Sequence, residues 1–163
     1  MSKLRSAIIV HEGGNRFVAG TGTNRTIVYG NSIEAGELSP METVAVSLAA
    51  CSAMDVISIA EKKRQVIARY EIRVEAIQRD EYPQVLTRAD VIHTVEGPGV
   101  EEAAIRRAIE LSATKYCPVN AMLSAGETEV HHRYVVRNTG DRPFEAEGEV
   151  VVTGPYRRPE VVA

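Results

Sequence analysis

Short runs of apolar and β-branched residues, separated by glycine and asparagine, fill the first part of the chain and are typical of strands joined by tight turns. They predict three strands, over residues 4–12, 16–19 and 26–29. A longer apolar segment follows over residues 41–63, after Ser39 and Pro40, which suit the N-cap and the first position of a helix. Because this segment is apolar nearly all round, we expect a central helix that is covered on most sides.

Beyond this helix, alternation of apolar and charged residues replaces the continuous apolar run. Over residues 68–80 the alternation has the two-residue period of a half-exposed strand, and residues 85–95 return as its partner after a turn. The remaining pattern predicts an amphipathic helix, a short helix and a strand, over residues 100–115, 118–124 and 127–136 in turn.

The resulting order is β-β-β-α-β-β-α-α-β, in which strands and helices are segregated rather than strictly alternating. This order predicts an α+β fold with mostly antiparallel strand pairing. We expect the domain to span residues 1–137. Over residues 138–163 the signal fades, and we expect a C-terminal extension made of a linker, one further strand over 149–153 and a loose tail.

Composition and charge exclude several classes of function. A chain of 163 residues with 44% hydrophobic residues is long enough for a domain with a real core. Its net charge of −3 and its lack of tryptophan argue against a nucleic-acid-binding protein. The N-terminal apolar run is too short for a signal peptide, and the longest apolar segment, residues 44–60, is interrupted by Asp55 and is shorter than the ~20 residues of a membrane span. We therefore expect a cytoplasmic protein that binds neither nucleic acid nor membrane.

The two cysteines, Cys51 and Cys117, carry the candidate chemistry. Cys117 directly precedes a proline at a predicted helix start, where the helix dipole and free N–H groups should lower the pKa of a thiol; the alternative is that it is merely a small cap residue. Cys51 lies in the apolar helix, where a lone cysteine is usually a small hydrophobe, with Asp55 four residues later on the same face. A functional Cys51 needs a nearby cation, for which Arg16 and Arg25 on the early strands are candidates.

Metal-binding patterns are weak. A zinc site can be imagined from Cys51, Cys117, His93 and Asp55, but no Cys-x-x-Cys or His-x-x-x-His spacing supports it. His131 and His132 are adjacent on a predicted strand and so point to opposite faces. We expect neither a metal nor a cofactor.

Three segments together resemble the OsmC/Ohr family of thiol-dependent peroxidases, and the resemblance covers roughly residues 4–136. A cysteine on the central helix, followed 66 residues later by a Cys-Pro pair, is fairly specific, whereas either half alone would be weak. The segments are Ser39-Pro40-Met41-Glu42, Leu48-Ala49-Ala50-Cys51 and Lys115-Tyr116-Cys117-Pro118.

The resemblance implies a redox mechanism. Cys51 would attack the O–O bond of an organic hydroperoxide and become a sulfenic acid, and Cys117 would condense with it to a disulfide that an external dithiol reduces. An arginine would stabilise the Cys51 thiolate, with Arg16 the best match and Arg25 the second.

The resemblance also implies an assembly and a pocket. Members of the family are intertwined homodimers, with antiparallel sheets around a central buried helix, active sites at the subunit interface and early strands exchanged between subunits. The hydroperoxide pocket would be lined by Met54, Met122 and Leu123.

One position departs from the family pattern. Well-characterised members carry a glutamate directly after the proline, which binds the arginine, whereas this chain has Met41 there and its carboxylate at Glu42, about 100° further round a helix. Glu42 remains a candidate catalytic residue, and Asp55 is a substitute partner for the arginine. The departure indicates a divergent branch and keeps open a non-enzymatic redox sensor, a small-ligand-binding relative, or a structural dimer with unreactive thiols.

Overall fold

The computed structural model of the chain describes residues 4–21, 26–30, 35–155 and 160–161, which fall into two units, Met1–Val44 and Ala45–Ala163. In the first unit, three antiparallel strands pair in chain order, and they are β1 (Ala7–Gly13), β2 (Arg16–Thr21) and β3 (Thr26–Tyr29). The turn between β1 and β2 places Gly13 and Gly14 at φ values of 113° and 56°, a region that glycine adopts without steric cost. The three predicted early strands are therefore present.

Helix α1 (Pro40–Lys62) begins with a capping box. The Glu42 N–H donates to the Ser39 hydroxyl at 3.2 Å, and the Ser39 N–H donates to the Glu42 carboxylate at 2.7 Å. Each residue thus satisfies a backbone N–H that has no partner inside the helix. These bonds fix the helix start one residue before the predicted position.

Only one stripe of α1 is buried, which corrects the expectation of a helix covered on most sides. The buried residues recur every fourth position, so they face a single side, and they are Leu48, Ser52, Val56 and Ala60. On other sides of the helix Val46 is 56% and Met54 75% exposed. An apolar helix surface therefore remains uncovered in the single chain.

The length of α1 also corrects one argument about membranes. With 23 residues, α1 is by length and composition long and apolar enough to cross a bilayer, which the shorter predicted apolar segment was not. The core helix of a soluble protein passes the same test, and here the buried stripe of α1 belongs to the core of the second unit.

The second unit contains a five-stranded sheet in chain order, with antiparallel pairing except between its second and third strands. Those two parallel strands are joined by a crossover of helices, as parallel neighbours require. The strands are β4 (Arg69–Gln78), β5 (Leu86–Gly97), β6 (Glu129–Asn138), β7 (Phe144–Thr153) and β8 (Glu160–Val161), and the crossover comprises α2 (Glu102–Leu111), a π-helical turn (Ser112–Tyr116) and α3 (Pro118–Ser124). The predicted α+β fold is confirmed.

The region after residue 137 contributes a full strand to this sheet. β7 pairs with β6 from Asn138 opposite Phe144 to Val130 opposite Thr153, and Val150 and Val151 in its C-terminal part lie in the main core. The boundary predicted at residue 137 therefore falls inside the packed unit. Most of the predicted loose tail, residues 156–159 and 162–163, lies outside the described residues.

The core of the second unit forms where the helices pack against alternate residues of β5, β6 and β7. A large cluster joins α1, α2 and the sheet, and a smaller one surrounds the two cysteines. Among the fully buried side chains of the large cluster are Val56, Val95, Ile105, Ile109, Val136 and Val151, and the smaller cluster contains Leu48, Ala89, Val91, Cys117 and Val130.

We expect Ile105→Ala to lower the free energy of unfolding by about 2–5 kcal/mol, because Ile105 is fully buried and its removal leaves a cavity. Urea denaturation of the purified chain measures this loss. Ile77→Ala is the matched control, since Ile77 is 57% exposed and its truncation should cost well under half as much. Equal losses at the two positions would contradict the packing described here.

Candidate active site

The structure brings the two cysteines together. The Cys117 sulfur lies 2.8 Å from the Cys51 sulfur, and neither thiol is in a disulfide. Cys51 is half-buried, whereas Cys117 is only 3% exposed. Sulfur atoms this close need only small side-chain rotations to form a disulfide, so the pair is suited to reversible oxidation.

Local backbone geometry places Cys117 at this position. The π-helical turn ends when the Cys117 N–H donates to the Ser112 carbonyl at 2.9 Å, and Cys117 itself is extended, with φ −74° and ψ 104°. α3 then starts at Pro118, whose fixed φ suits a first helical residue. The predicted N-cap position of Cys117 is therefore confirmed, while the π-helical turn, a feature often found at functional sites, was not predicted.

The predicted low pKa of Cys117 is wrong. Burial raises the pKa of this thiol well above its usual range, and the hydrogen bond with Cys51 adds to the rise. The Asn120 N–H, which donates to the Cys117 sulfur at 3.3 Å, lowers the pKa by less than burial raises it. At neutral pH, Cys117 is thus a protonated thiol that donates toward Cys51.

A carboxylate lies beside the two thiols. The Ser112 hydroxyl donates to Asp55 Oδ2 at 3.0 Å, and the Ser52 oxygen lies 3.3 Å from the Ser112 oxygen. Because the single hydroxyl proton of Ser112 goes to the carboxylate, Ser52 must be the donor to Ser112. These two buried hydroxyls fix the carboxylate so that one of its oxygens and both sulfurs all lie within 4.8 Å of one another.

The side chain of Asn120 anchors α3 to the sheet. Its amide nitrogen donates to the Ala113 carbonyl at 2.9 Å and to the Thr153 hydroxyl at 3.0 Å, and its amide oxygen lies 2.9 Å from His132 Nε2. A carbonyl can accept only from the amide nitrogen, so the contact with Ala113 fixes which way the amide points. His132 must then carry its proton on Nε2.

This assignment extends through a buried chain of rings. His132 Nδ1, now an acceptor, lies 3.3 Å from His93 Nε2, and His93 Nδ1 lies 2.7 Å from the Tyr70 hydroxyl. The consistent directions are therefore Tyr70 to His93, His93 to His132 and His132 to Asn120. Both histidines are fully buried and neutral, since burial lowers their pKa values.

In the first unit, Arg16 binds two carboxylates, and neither belongs to Glu42. Its Nη1 lies 2.7 Å from Glu37 Oε1 and its Nε 3.1 Å from Glu12 Oε2. Glu42 is engaged by Ser39 in the capping box, which also lowers the pKa of its carboxyl group. The arginine–glutamate pair that the family forms at the helix start is thus absent between Arg16 and Glu42, and Arg16 pairs with Glu37 and Glu12.

The predicted candidates therefore fall into two groups. Arg16 and Glu42 belong to the first unit, and the cysteines and Asp55 belong to the second. The other candidate cation, Arg25, lies outside the described residues. Met54 lines a surface groove, Met122 is 68% exposed, and Leu123 packs on the small cluster that contains Cys117. The groove that Met54 lines is completed by Ala53, Ile57, Ser58 and Glu61 rather than by Met122 and Leu123.

Comparison with known proteins decides the family. The family model described as OsmC-like protein matches residues 33–133, which is more than half of the chain. This chain belongs to the OsmC-like family. The resemblance of its two cysteine segments to that family is thereby confirmed.

Individual proteins similar to this OsmC-like chain each cover more than half of it. A protein named YhfA from Escherichia coli K12 is 39% identical over 98 residues, which make up 60% of this chain and 73% of YhfA. A hypothetical protein from Aquifex aeolicus has a crystal structure with a TM-score of 0.75 and 26% identity, covering 83% of this chain and 98% of that one.

A more distant structure shares the fold alone. An organic hydroperoxide resistance protein from Elizabethkingia anophelis has a TM-score of 0.60 at 14% identity, covering 85% of this chain and 99% of that one.

Several residues of this OsmC-like site escaped sequence analysis. His132 occupies one of the alternate positions of β6 that point into the core, together with Val130, Tyr134 and Val136. A polar side chain at such a position needs a buried hydrogen-bond partner. The placement of His132 opposite to His131 was predicted and is confirmed, since His131 instead contacts Glu149. No local pattern marks the partner itself, Asn120, because it lies on a different element.

We expect the stability of the protein to fall as the pH is lowered from 7 toward 5. Burial lowers the pKa of His132 to about 4 and lowers that of His93 as well, whereas both titrate near 6.5 in an unfolded chain. Between these values the unfolded state binds more protons, so the free energy of unfolding drops by up to about 1.4 kcal/mol per pH unit for each histidine. Urea denaturation at pH 7.5, 6 and 5 measures the slope.

His132→Gln removes one of the two buried titrating groups and should reduce this slope by about half. His11→Gln is the control, because His11 is exposed and its replacement should leave the slope unchanged. A free energy of unfolding that is the same at pH 7.5 and pH 5 would contradict the buried, neutral state of the histidine pair.

Proposed function

We propose that this protein is a thiol-dependent peroxidase that reduces organic hydroperoxides, with Cys51 as the attacking thiol and Cys117 as the resolving thiol. The observation that carries the proposal is the 2.8 Å approach of a half-buried sulfur and a buried sulfur within an OsmC-like chain. Named hydroperoxide resistance proteins share this fold, which agrees with the proposed chemistry.

The different surroundings of the two thiols support the order of the steps. Cys51 is the more accessible, so its thiolate attacks the outer oxygen of the hydroperoxide, and the alcohol leaves after taking up a proton. The resulting sulfenic acid lies beside the Cys117 thiol, whose sulfur attacks it. The Cys117 proton and the sulfenic hydroxyl leave as water, a disulfide forms, and an external dithiol restores both thiols.

Cys117 is poorly suited to the first step. Its pKa is raised by burial, so little thiolate is present at neutral pH, and its sulfur is almost completely covered. Both properties suit a thiol that reacts only with a partner already positioned next to it. The raised pKa and the burial of Cys117 also favour a resting enzyme whose thiols stay reduced, as thiols do in a reducing compartment. We therefore propose that the protein acts in the cytoplasm.

Arg16 is the proposed cation of the mechanism. Glu37, whose side chain is 9% exposed, and Glu12 both hold the guanidinium group, which fixes its direction. Within the proposal, Glu37 takes the anchoring role of the glutamate that the family carries after the proline, and Glu42 serves to start α1.

The proposed assembly is a homodimer. β1 exposes three consecutive apolar residues, Ile8, Ile9 and Val10, at 72%, 60% and 57%, and α1 exposes Val46 and Met54. Apolar strands and helix faces of this kind are normally covered, and a second copy of the chain is the occupant that agrees with the family resemblance. The hydroperoxide pocket proposed at Met54, Met122 and Leu123 would then be completed by the partner.

We expect the reduced protein to consume cumene hydroperoxide in the presence of a dithiol, and Cys51→Ser to abolish turnover. Cys117→Ser should still react once, leaving a Cys51 sulfenic acid that a dimedone probe labels. Thr114→Ala, which changes an exposed residue of the same π-helical turn, is the control for general damage and should keep full turnover. A disulfide that forms without turnover would support the redox sensor instead. Two thiols that are both unreactive in a thiol titration near neutral pH would refute the peroxidase and the redox sensor alike.

We expect Arg16→Ala to lower kcat/KM for the hydroperoxide by about 10- to 1,000-fold, because a developing negative charge would lose a fixed cation. Arg16→Lys should recover only part of the loss, since an ammonium group cannot reproduce the two-sided contact with Glu37 and Glu12. Arg73→Ala is the matched control, because Arg73 is an exposed arginine of the other unit that pairs with Glu75. Unchanged kcat/KM in Arg16→Ala would rule out this arginine as the cation.

A further inference from the structure

Three potential metal ligands converge at the thiol pair. Cys51 and Asp55 are one turn apart on α1, and Cys117 approaches them from the start of α3. Their two sulfur atoms and a carboxylate oxygen all lie within 4.8 Å of one another. Sequence spacing could not indicate this group, because the third ligand comes from a distant part of the chain.

The donor set has a clear chemical preference. Two thiolates and one carboxylate suit a borderline-soft divalent cation, and Zn²⁺ binds such ligands at about 2.3 Å for sulfur and 2.0–2.2 Å for oxygen. In a tetrahedral site these bonds separate two sulfur ligands by about 3.8 Å. The sulfur atoms of Cys51 and Cys117, at 2.8 Å, would have to separate by about 1 Å, which rotation of the half-buried Cys51 side chain allows.

Hydrogen bonds already orient two of the three ligands. The Ser112 hydroxyl donates to one oxygen of Asp55, and the Asn120 N–H donates to the Cys117 sulfur. Ser112 is itself fixed by Ser52, and both serines are fully buried. Supporting contacts of this kind hold metal ligands in place and are typical of sites that bind an ion without large rearrangement.

We propose that the reduced protein binds one thiophilic divalent cation, best matched by Zn²⁺, through Cys51, Asp55 and Cys117, with a fourth position open to water. Binding replaces the thiol protons, so it weakens as the pH is lowered. The binding itself does not depend on the peroxidase activity proposed above.

The consequence for redox chemistry does rest on the proposed function. A bound ion occupies the lone pair with which Cys51 attacks, so the ion inhibits turnover. Slow oxidation of the bound pair by an organic hydroperoxide forms the disulfide, takes up two protons, and yields the alcohol, water and the released divalent ion. The two thiolates supply the two electrons, and the disulfide retains no thiolate to bind the ion.

The test uses Zn²⁺ alone with the full-length, reduced protein and no peroxide. After removal of unbound ion, a chromogenic chelator should release one Zn²⁺ per chain, and protein first converted to the disulfide with diamide should retain none. Extended X-ray absorption should report two sulfur neighbours near 2.3 Å. A failure of peroxidase turnover leaves these measurements unaffected, so the two proposals can fail separately.

Variants assign the ligands. Ser112→Ala should weaken Zn²⁺ binding by about 10- to 100-fold, the usual effect of losing a ligand's supporting hydrogen bond, and Asp55→Asn, Cys51→Ser and Cys117→Ser should each weaken it further. Glu61→Gln, an exposed carboxylate on the same helix, is the control and should bind as the unmodified protein does.

Three results would overturn the proposal. The first is equal binding by the diamide-oxidised and reduced forms, which requires no variant to fold. The second is binding that survives in both cysteine variants. The third is half an ion per chain, which would mean that two chains share one ion rather than each holding its own.

Discussion

The buried amide of Asn120 ties together the elements that surround Cys117. Its side chain contacts the π-helical turn through Ala113, β7 through Thr153 and β6 through His132, while its backbone N–H contacts the Cys117 sulfur. An amide that is 1% exposed must have all these partners, because each unsatisfied polar atom would cost about 1–3 kcal/mol. The position of Cys117 is thus fixed by the hydrogen bonds of a neighbouring residue as well as by its own N–H bond to the Ser112 carbonyl.

The same arrangement explains why the two thiols differ. A helix start lowers a thiol pKa through its free N–H groups, but α3 has only seven residues and offers the Cys117 sulfur a hydrogen bond from Asn120 at 3.3 Å. Burial beneath α1 and the sheet acts on the whole thiolate charge, and it raises the pKa of Cys117 by more than the backbone N–H groups of Asn120 and Val119 lower it. Competition between these two effects, not the presence of a helix start, decides that Cys117 is held as a neutral thiol.

Local patterns in the sequence predicted the helices and strands, but they did not predict the contacts between those elements. α1 was expected over residues 41–63 and spans Pro40–Lys62, because its cap and its apolar run are both local. β7 was expected over residues 149–153 and spans Phe144–Thr153, and within it Gly148 lies opposite Tyr134, where an added Cβ would lie 3.1 Å from the tyrosine ring. The close packing of this glycine depends on a neighbour on another strand, which no local pattern in the sequence reveals.

The same distinction between local patterns and contacts between elements applies to the residues of the candidate site. The pairing of Cys51 with Cys117 came from the family resemblance, since spacing alone cannot bring together two residues 66 positions apart. The histidine chain and the serine pair had no signal, because each polar residue is explained only by a partner on a different element. Burial of a polar group is visible in a strand's register, but the identity of its partner is a property of the tertiary structure.

The arginine of the first unit illustrates how a departure from a family pattern can be compensated. With Met41 after the proline and Glu42 occupied by Ser39, α1 has no carboxylate available to Arg16 in its first turn. Glu37 in the preceding loop binds the guanidinium instead, and it packs so closely over Gly30 that a Cβ there would lie 2.0 Å from its carboxylate.

The glycine and the glutamate therefore act together, since any larger residue at position 30 would displace the carboxylate that orients the arginine. Two of the guanidinium nitrogens, Nε and Nη1, bind carboxylates, and among the described residues Nη2 has no such partner. An arginine held in this way keeps a directed donor for a further anion. In the proposed mechanism, Glu37 in the loop before the helix thus takes the place of a carboxylate at the helix start.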